Sequence, residues 1–138
     1  MNAYQRDFCL KLTKDLKKKH AFKVFVEPVT DDIAPGYSEV IKHPSCLLDV
    51  ENALKANKID SVDEYKKRIN RIWKNCKKYN HGNALFESLA SLGKEVFERK
   101  MKKLRTSEED DWNRKLQKCV KKISEVVTLM DEEAKKLA

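Results

Sequence analysis

The sequence predicts an all-α fold, an antiparallel bundle of four helices with one more helix at the C-terminal end. Three observations predict it. Glycine and proline are scarce, three of each in 138 residues, while charged residues make up 38%, the balance of a helix-rich, well-solvated chain. Apolar residues recur at three- and four-residue spacing through most of the length. All three prolines, Pro28, Pro35 and Pro44, fall in one segment, and each biases its predecessor away from helix. The length suits one domain with a real core, and an apolar fraction of 41% argues against disorder.

The first helix is expected over residues 3–20. Tyr4, Phe8, Leu12 and Leu16 recur every four residues, and Cys9 and Leu10 widen the stripe. The pattern then breaks into a loop of roughly 25 residues, a length that in a compact domain is often functional. Its phenylalanines, valines, isoleucines and Tyr37 imply that it packs down, with a short helical turn over 36–41. The second helix covers 46–57, buries Leu47, Val50, Ala53 and Leu54, and stops at Asn57-Lys58. The third has the strongest start signal: Ser61 and Glu64 form a capping box. Val62, Tyr65, Ile69, Ile72, Trp73, Cys76 and Tyr79 then mark one face, and the helix ends at Tyr79. After the His81-Gly82-Asn83 turn a fourth helix begins near Ala84, lined by Leu85, Leu89, Leu92, Val96 and Met101, with Ala90 and Phe97 alongside. The fifth covers 107–136. Thr106 or Ser107 caps it, and Glu108, Glu109, Asp110 and Asp111 suit the positive end of its dipole. Its Trp112, Leu116, Cys119, Ile123, Val126 and Met130 form a short heptad seam. That seam either packs on the bundle or meets a partner helix.

Several function classes are disfavoured. No apolar run approaches a membrane span, and the charged first residues lack a signal-peptide core, so a soluble, intracellular protein is expected. Cys9, Cys46, Cys76 and Cys119 are widely spaced without a CxxC pair, and His20, His43 and His81 are scattered. Zinc or redox chemistry therefore has no support, and free thiols are expected. There is no phosphate-binding glycine loop and no nucleophile with an identifiable base. Neither an enzyme nor a cofactor is implied. The net charge is +8, and Lys66, Lys67, Arg68, Arg71, Lys74, Lys77 and Lys78 crowd the third helix against Asp63 and Glu64. Such a face is either solvated surface or a contact for nucleic acid.

In an up-down bundle the long loop and the 80–84 loop share one end and can enclose a cavity between helices, a common ligand position. Asn80 stands there, as a helix cap or as a hydrogen-bonding group at a pocket mouth. FVEPV, PGYSEVIKHP and SVDEYKKRINRIWKNCKKYN, in that order and followed by an alanine-containing helix, resemble a bromodomain from about Phe25 to Phe97. The resemblance implies a left-handed four-helix bundle of bromodomain type over residues 1–105, with residues 106–138 as a C-terminal helical extension. It also implies an acetyl-lysine reader in nuclear chromatin regulation that binds acetylated histone or other acetylated tails without catalysis. By position, Asn80 would donate to the acetyl carbonyl and Tyr37 would act through a water. Val29 would pack on the acetyl chain, Phe25 beside the methyl, and Phe86 would be the gatekeeper. Ile33, Cys76 and Tyr79 would complete the walls.

The residue types suit that task. A lysine ammonium entering an uncharged pocket loses its hydration at a cost of several kcal/mol. Acetylation removes the charge and leaves an amide whose carbonyl needs a donor, which an Asn supplies without adding charge. The chain departs from the family pattern at three places. Lys23-Val24-Phe25 stands where the family usually has Trp-Pro-Phe, Ser45-Cys46-Leu47 replaces Met-Asp-Leu, and Lys58-Ile59 stands where aromatic residues often precede the third helix. Lys23 would loosen the shelf that grips the peptide. Because histone tails are basic, an acidic rim of Glu27, Asp31, Asp32 and Glu39 is expected, with nucleosomal DNA as a secondary, salt-sensitive contact. The alternatives are a degenerate bromodomain acting as a scaffold through the Trp112–Met130 seam, and a nucleic-acid-binding bundle acting through its basic helices.

Overall fold

The computed structural model describes residues 1–138 and contains only helices and turns. The elements are α1 (Ala3–Lys18), a 3-10 turn (His20–Phe25), α2 (Tyr37–Val40), α3 (Leu47–Lys55), α4 (Val62–Tyr79), α5 (Ala84–Met101) and α6 (Glu108–Leu137). The chain divides into two compact units, Met1–Leu104 and Arg105–Ala138. None of the helices is long and apolar enough to cross a membrane.

In the first unit α1 packs on α3, and α4 packs on both α3 and α5. Cys9, Leu12, Thr13 and Leu16 are the buried residues of α1. The buried face is thus turned from the expected stripe, leaving Tyr4 and Phe8 half-covered. Thr13 enters the core because its hydroxyl donates to Cys9 O at 2.8 Å and meets the Tyr65 hydroxyl at 2.9 Å. α3 stops where expected: Asn57 takes a left-handed φ of 55°, and Lys58 N–H reaches back to Ala53 O at 2.9 Å, a helix-ending pattern suited to Asn. The α4 start is a modified capping box. Ser61 Oγ accepts from Glu64 N–H at 3.0 Å, but the Glu64 carboxylate accepts from Asp60 N–H, one residue before the cap.

The expected stripe of α5 is corrected. Leu85 and Leu92 are exposed and Gly93 joins the buried face, while Ala90, Val96, Phe97 and Met101 are buried as expected. Trp73 on α4 is the cause. A Cβ on Gly93 would lie 2.6–2.8 Å from the indole ring, so the ring occupies the space where a side chain would stand. Trp73 also meets Phe25 edge-on at 5.0 Å and Phe22 at 5.9 Å. Its Nε1–H is enclosed and donates to no protein group, so packing against these rings and Gly93 positions it.

The long loop contains the expected short helix, α2, and the 3-10 turn orders its start as well. Gly36 precedes α2 with φ 73°, a conformation glycine adopts without steric cost. Three hydrogen bonds lay the loop along α4: Ser45 Oγ to Arg68 O at 3.1 Å, Asn75 Nδ2 to His43 O at 2.9 Å, and Tyr79 Oη to Pro35 O at 2.8 Å. A fourth, Leu48 N–H to Val26 O at 3.0 Å, ties the start of the loop to α3.

In the second unit Ser107 caps α6 by accepting from Asp110 N–H at 3.1 Å. No residue of α6 is buried. Trp112, Leu116, Ile123, Val126 and Met130 of the heptad seam are exposed, as is Cys119.

Candidate functional site

Between the long loop and the α4–α5 corner lies a cavity of about 420 Å³, within the usual range for small-ligand sites. All eight candidate residues line it: Phe25, Val29, Ile33, Tyr37, Cys76, Tyr79, Asn80 and Phe86. The sequence elements converge there for local reasons. The 3-10 turn delivers Phe25, the loop delivers Val29 and Ile33, and α2 delivers Tyr37. Cys76, Tyr79 and Asn80 come from the last turn of α4, and Phe86 from the first turn of α5.

Asn80 is the C-cap of α4, so the cap role and the cavity position coincide. Its backbone N–H and its Nδ2 both donate to Cys76 O, each at 3.0 Å. An amide nitrogen carries two protons; besides the bond to Cys76 O, Nδ2 makes a long contact to Cys76 Sγ at 3.8 Å, a weak acceptor that a carbonyl oxygen would outcompete. The bond to Cys76 O fixes the direction of the half-buried side chain.

Tyr37 is 8% exposed, and its hydroxyl makes no hydrogen bond to protein. It stacks edge-on against Tyr79 at 5.1 Å. Burial raises its pKa above that of an ordinary tyrosine, so the hydroxyl keeps its proton at neutral pH. Tyr79 serves as a strut as well as a wall, because its hydroxyl is committed to Pro35 O. Ile33 is 78% exposed and contributes only to the mouth.

Sequence reasoning missed several lining residues, among them Ala34, Ile72 and Cys46. Ile72 was legible as core but not as a wall. Cys46 was visible only as a departure from the family pattern. Burial pushes its thiol up to about 11 and raises Cys76 as well, against the smaller opposing effect of the hydrogen bond from Asn80. Both thiols are therefore neutral near pH 7. The deep walls consequently carry no charge. The charged lining residues are Lys23 and Glu27, both exposed.

The expected acidic rim is reduced accordingly. Glu27 lines the cavity, whereas Asp31, Asp32 and Glu39 do not. Asp31 is occupied elsewhere: its carboxylate accepts from Ser38 N–H at 2.9 Å and Ser38 Oγ at 2.7 Å, bonds that lower its pKa.

Comparisons with known proteins agree with this architecture. The Bromodomain family model matches residues 9–90, and the chain belongs to the bromodomain family, whose members are non-catalytic acetyl-lysine reader modules. Its fold is an all-α bundle of bromodomain type with an additional C-terminal helix. Bromodomain-containing protein 9 of Mus musculus is 36% identical over 77 residues, covering 56% of this chain and 13% of that protein. The SWR1 complex bromodomain subunit bdf1 of Schizosaccharomyces pombe is 31% identical over 108 residues, covering 76% of this chain and 18% of that protein. The chain thus spans less than a fifth of either relative. Among solved structures, the second bromodomain of Candida albicans Bdf1, bound to an imidazopyridine, superposes with a TM-score of 0.66 at 26% identity. The match covers 72% of this chain and 99% of that one.

Proposed function

We propose that this chain binds acetylated lysine in histone or other protein tails, in a nuclear, chromatin-regulatory setting. Asn80 donates an amide N–H to the acetyl carbonyl in place of its weak contact to Cys76 Sγ, and Tyr37 reaches the same oxygen through a water. Phe25, Val29 and Cys76 surround the acetyl group, Phe86 narrows the entrance, and Ile33 and Tyr79 flank the mouth. The observation that carries this reading is a half-buried carboxamide, held by Cys76 O, in a cavity whose deep walls are neutral.

Selectivity follows from the missing charge. An ammonium placed there would lose its hydration with no anion to replace it. The acetyl amide needs one donor, and Asn80 supplies it.

A peptide array carrying acetylated and unmodified tails, probed with wild type and Asn80→Ala, tests the reading. The variant should bind about 5- to 150-fold more weakly, the loss of one buried hydrogen bond worth about 1–3 kcal/mol. Circular dichroism checks that α4 keeps its end. Equal binding by both proteins, or binding indifferent to acetylation, rejects the assignment.

Residues 106–138 are proposed as a helical extension that meets a partner helix through Trp112, Leu116, Cys119, Ile123, Val126 and Met130. The exposure of that seam supports this role. Substituting Leu116 and Ile123 by Asp should abolish co-sedimentation with such a partner and leave peptide binding intact.

A further inference from the structure

The outer face of α4 carries a second feature, independent of the cavity. Residues 105–138 hold eight of the 30 basic and eight of the 22 acidic side chains, so the whole +8 resides in residues 1–104. Much of it is organised. Lys67, Arg71, Lys74 and Lys78 are spaced four, three and four residues apart on α4, which places them on one stripe of the helix. The stripe extends over roughly 16 Å of axis at the α-helical rise. It faces away from Ile69, Ile72, Trp73 and Cys76, the side buried in the bundle.

Lys42 and His43 of the loop before α3 stand beside this row. With it they line a groove of about 310 Å³. The Asn75 bond to His43 O holds that loop against the helix, so the groove is built from two elements fixed to each other. None of Lys42, Lys67, Arg71, Lys74 or Lys78 forms an ion pair. The only acids on α4, Asp63 and Glu64, lie in its first turn, and Glu64 is paired with Arg68.

We propose that this groove binds the phosphodiester backbone of duplex DNA. Charge complementarity supplies the attraction. A straight cationic row with Lys42 beside it suits a continuous anionic ridge. The lining selects the kind of polyanion. It contains no Phe, Tyr or Trp, so there is no platform for the stacked bases that hold single strands. It also lacks the aromatic anchors that dominate protein interfaces. Contacts of this kind position a protein on DNA without reading its sequence.

The test is fluorescence anisotropy of a labelled DNA duplex of about 20 base pairs, titrated with the full chain over a salt series. The variant carrying Lys67→Gln, Arg71→Gln, Lys74→Gln and Lys78→Gln keeps good helix formers throughout. It should lose at least about tenfold in affinity, and its log K against log salt slope should be shallower by about 3 to 4, one lost phosphate contact per cation. A control variant with Gln at the exposed positions Lys11, Lys14, Lys58 and Lys103 has the same net charge and should bind within about threefold of wild type. Asn80→Ala should leave DNA binding unchanged, and the quadruple α4 variant should leave acetylated-peptide binding unchanged, so the two sites fail separately. Equal losses in both charge variants would overturn the proposal, as would wild-type affinity in the α4 variant. Tighter binding to double-stranded RNA, or displacement of the duplex by a polyglutamate peptide at equal charge concentration, would overturn it too.

Discussion

Two apolar clusters of unequal size organise the bundle. The larger runs through α1, α3, α4 and α5 and includes Trp73, Tyr65, Phe22, Phe97 and Leu16, all sealed from solvent. The smaller lies under the long loop and consists of Ala34, Tyr37 and Ile41, with Tyr79 packed against it. The cavity sits on the seam between them. Phe25, Ile72 and Cys76 face it from the large cluster, and Ala34 and Tyr37 from the small one. One wall is therefore anchored in the main core, whereas the other depends on three residues, one strut and a few loop hydrogen bonds. The difference teaches that stability and recognition are separable here. The large cluster keeps the helices together; the small one keeps the loop in place to meet a ligand.

The largest effect should come from the large cluster. Trp73→Ala should lower stability in urea by about 3–5 kcal/mol, the usual cost of emptying a large aromatic site. Gly93→Ala should cost about 1–3 kcal/mol, because the new methyl meets the indole ring and forces it to shift. If Gly93→Ala is neutral, the close fit of α4 on α5 is not a constraint, and the account of the α5 stripe fails.

Glu51 comes next, on the α1–α3 side of the same region. Lys17 and Lys55 hydrogen-bond its buried carboxylate and hold its pKa below the ordinary glutamate value, outweighing the burial that would raise it. The sign follows directly: the contribution is complete above the unfolded value near about 4.3 and disappears as pH falls through the lower folded value. Glu51→Gln should cost about 1–2 kcal/mol at neutral pH, less than a fully buried pair because both lysines reach water. Its acid-unfolding curve should also be flatter than that of wild type between pH 5 and the acid limit. A parallel curve would remove Glu51 from the account.

The small cluster should respond locally. Tyr79→Phe deletes the bond to Pro35 O, worth about 1 kcal/mol. It should speed amide exchange over residues 30–40 while leaving the global unfolding midpoint nearly unchanged. Loss of global stability in proportion would merge the two clusters into one cooperative unit. At the cavity mouth, Lys23→Trp should rebuild an apolar shelf and tighten acetylated-peptide binding about 3- to 10-fold, a gain of about 0.7–1.4 kcal/mol. No change would remove Lys23 as the source of a loosened grip.

Much of this was legible from periodicity and punctuation. The prolines isolated the loop, Ser61 and Asn57 marked helix ends, and the α4 stripe from Tyr65 to Cys76 was buried as read. The misreadings share a cause. Leu85 and Leu92 continued a plausible stripe on α5, but hydropathy could not register that Gly93 yields its place to a tryptophan from another helix. Thr13 was silent because its burial depends on Tyr65, distant in sequence. Asp31 was read as rim charge, whereas its bonds to Ser38 require the folded loop. Cys46 entered the cavity through a loop geometry that spacing does not encode. Residues whose role depends on one helix were readable; those whose role depends on two needed the fold.

The central claim is that the Asn80 carboxamide itself meets the acetyl group. Its two side-chain amide protons can be followed in a ¹⁵N-correlated NMR titration with an acetylated peptide and with the same peptide unmodified. The account predicts that the Asn80 amide resonances shift and saturate with the acetylated peptide alone, together with those of Cys76 and Phe86. Resonances that stay still while the peptide binds, or that move equally with the unmodified lysine, would contradict it.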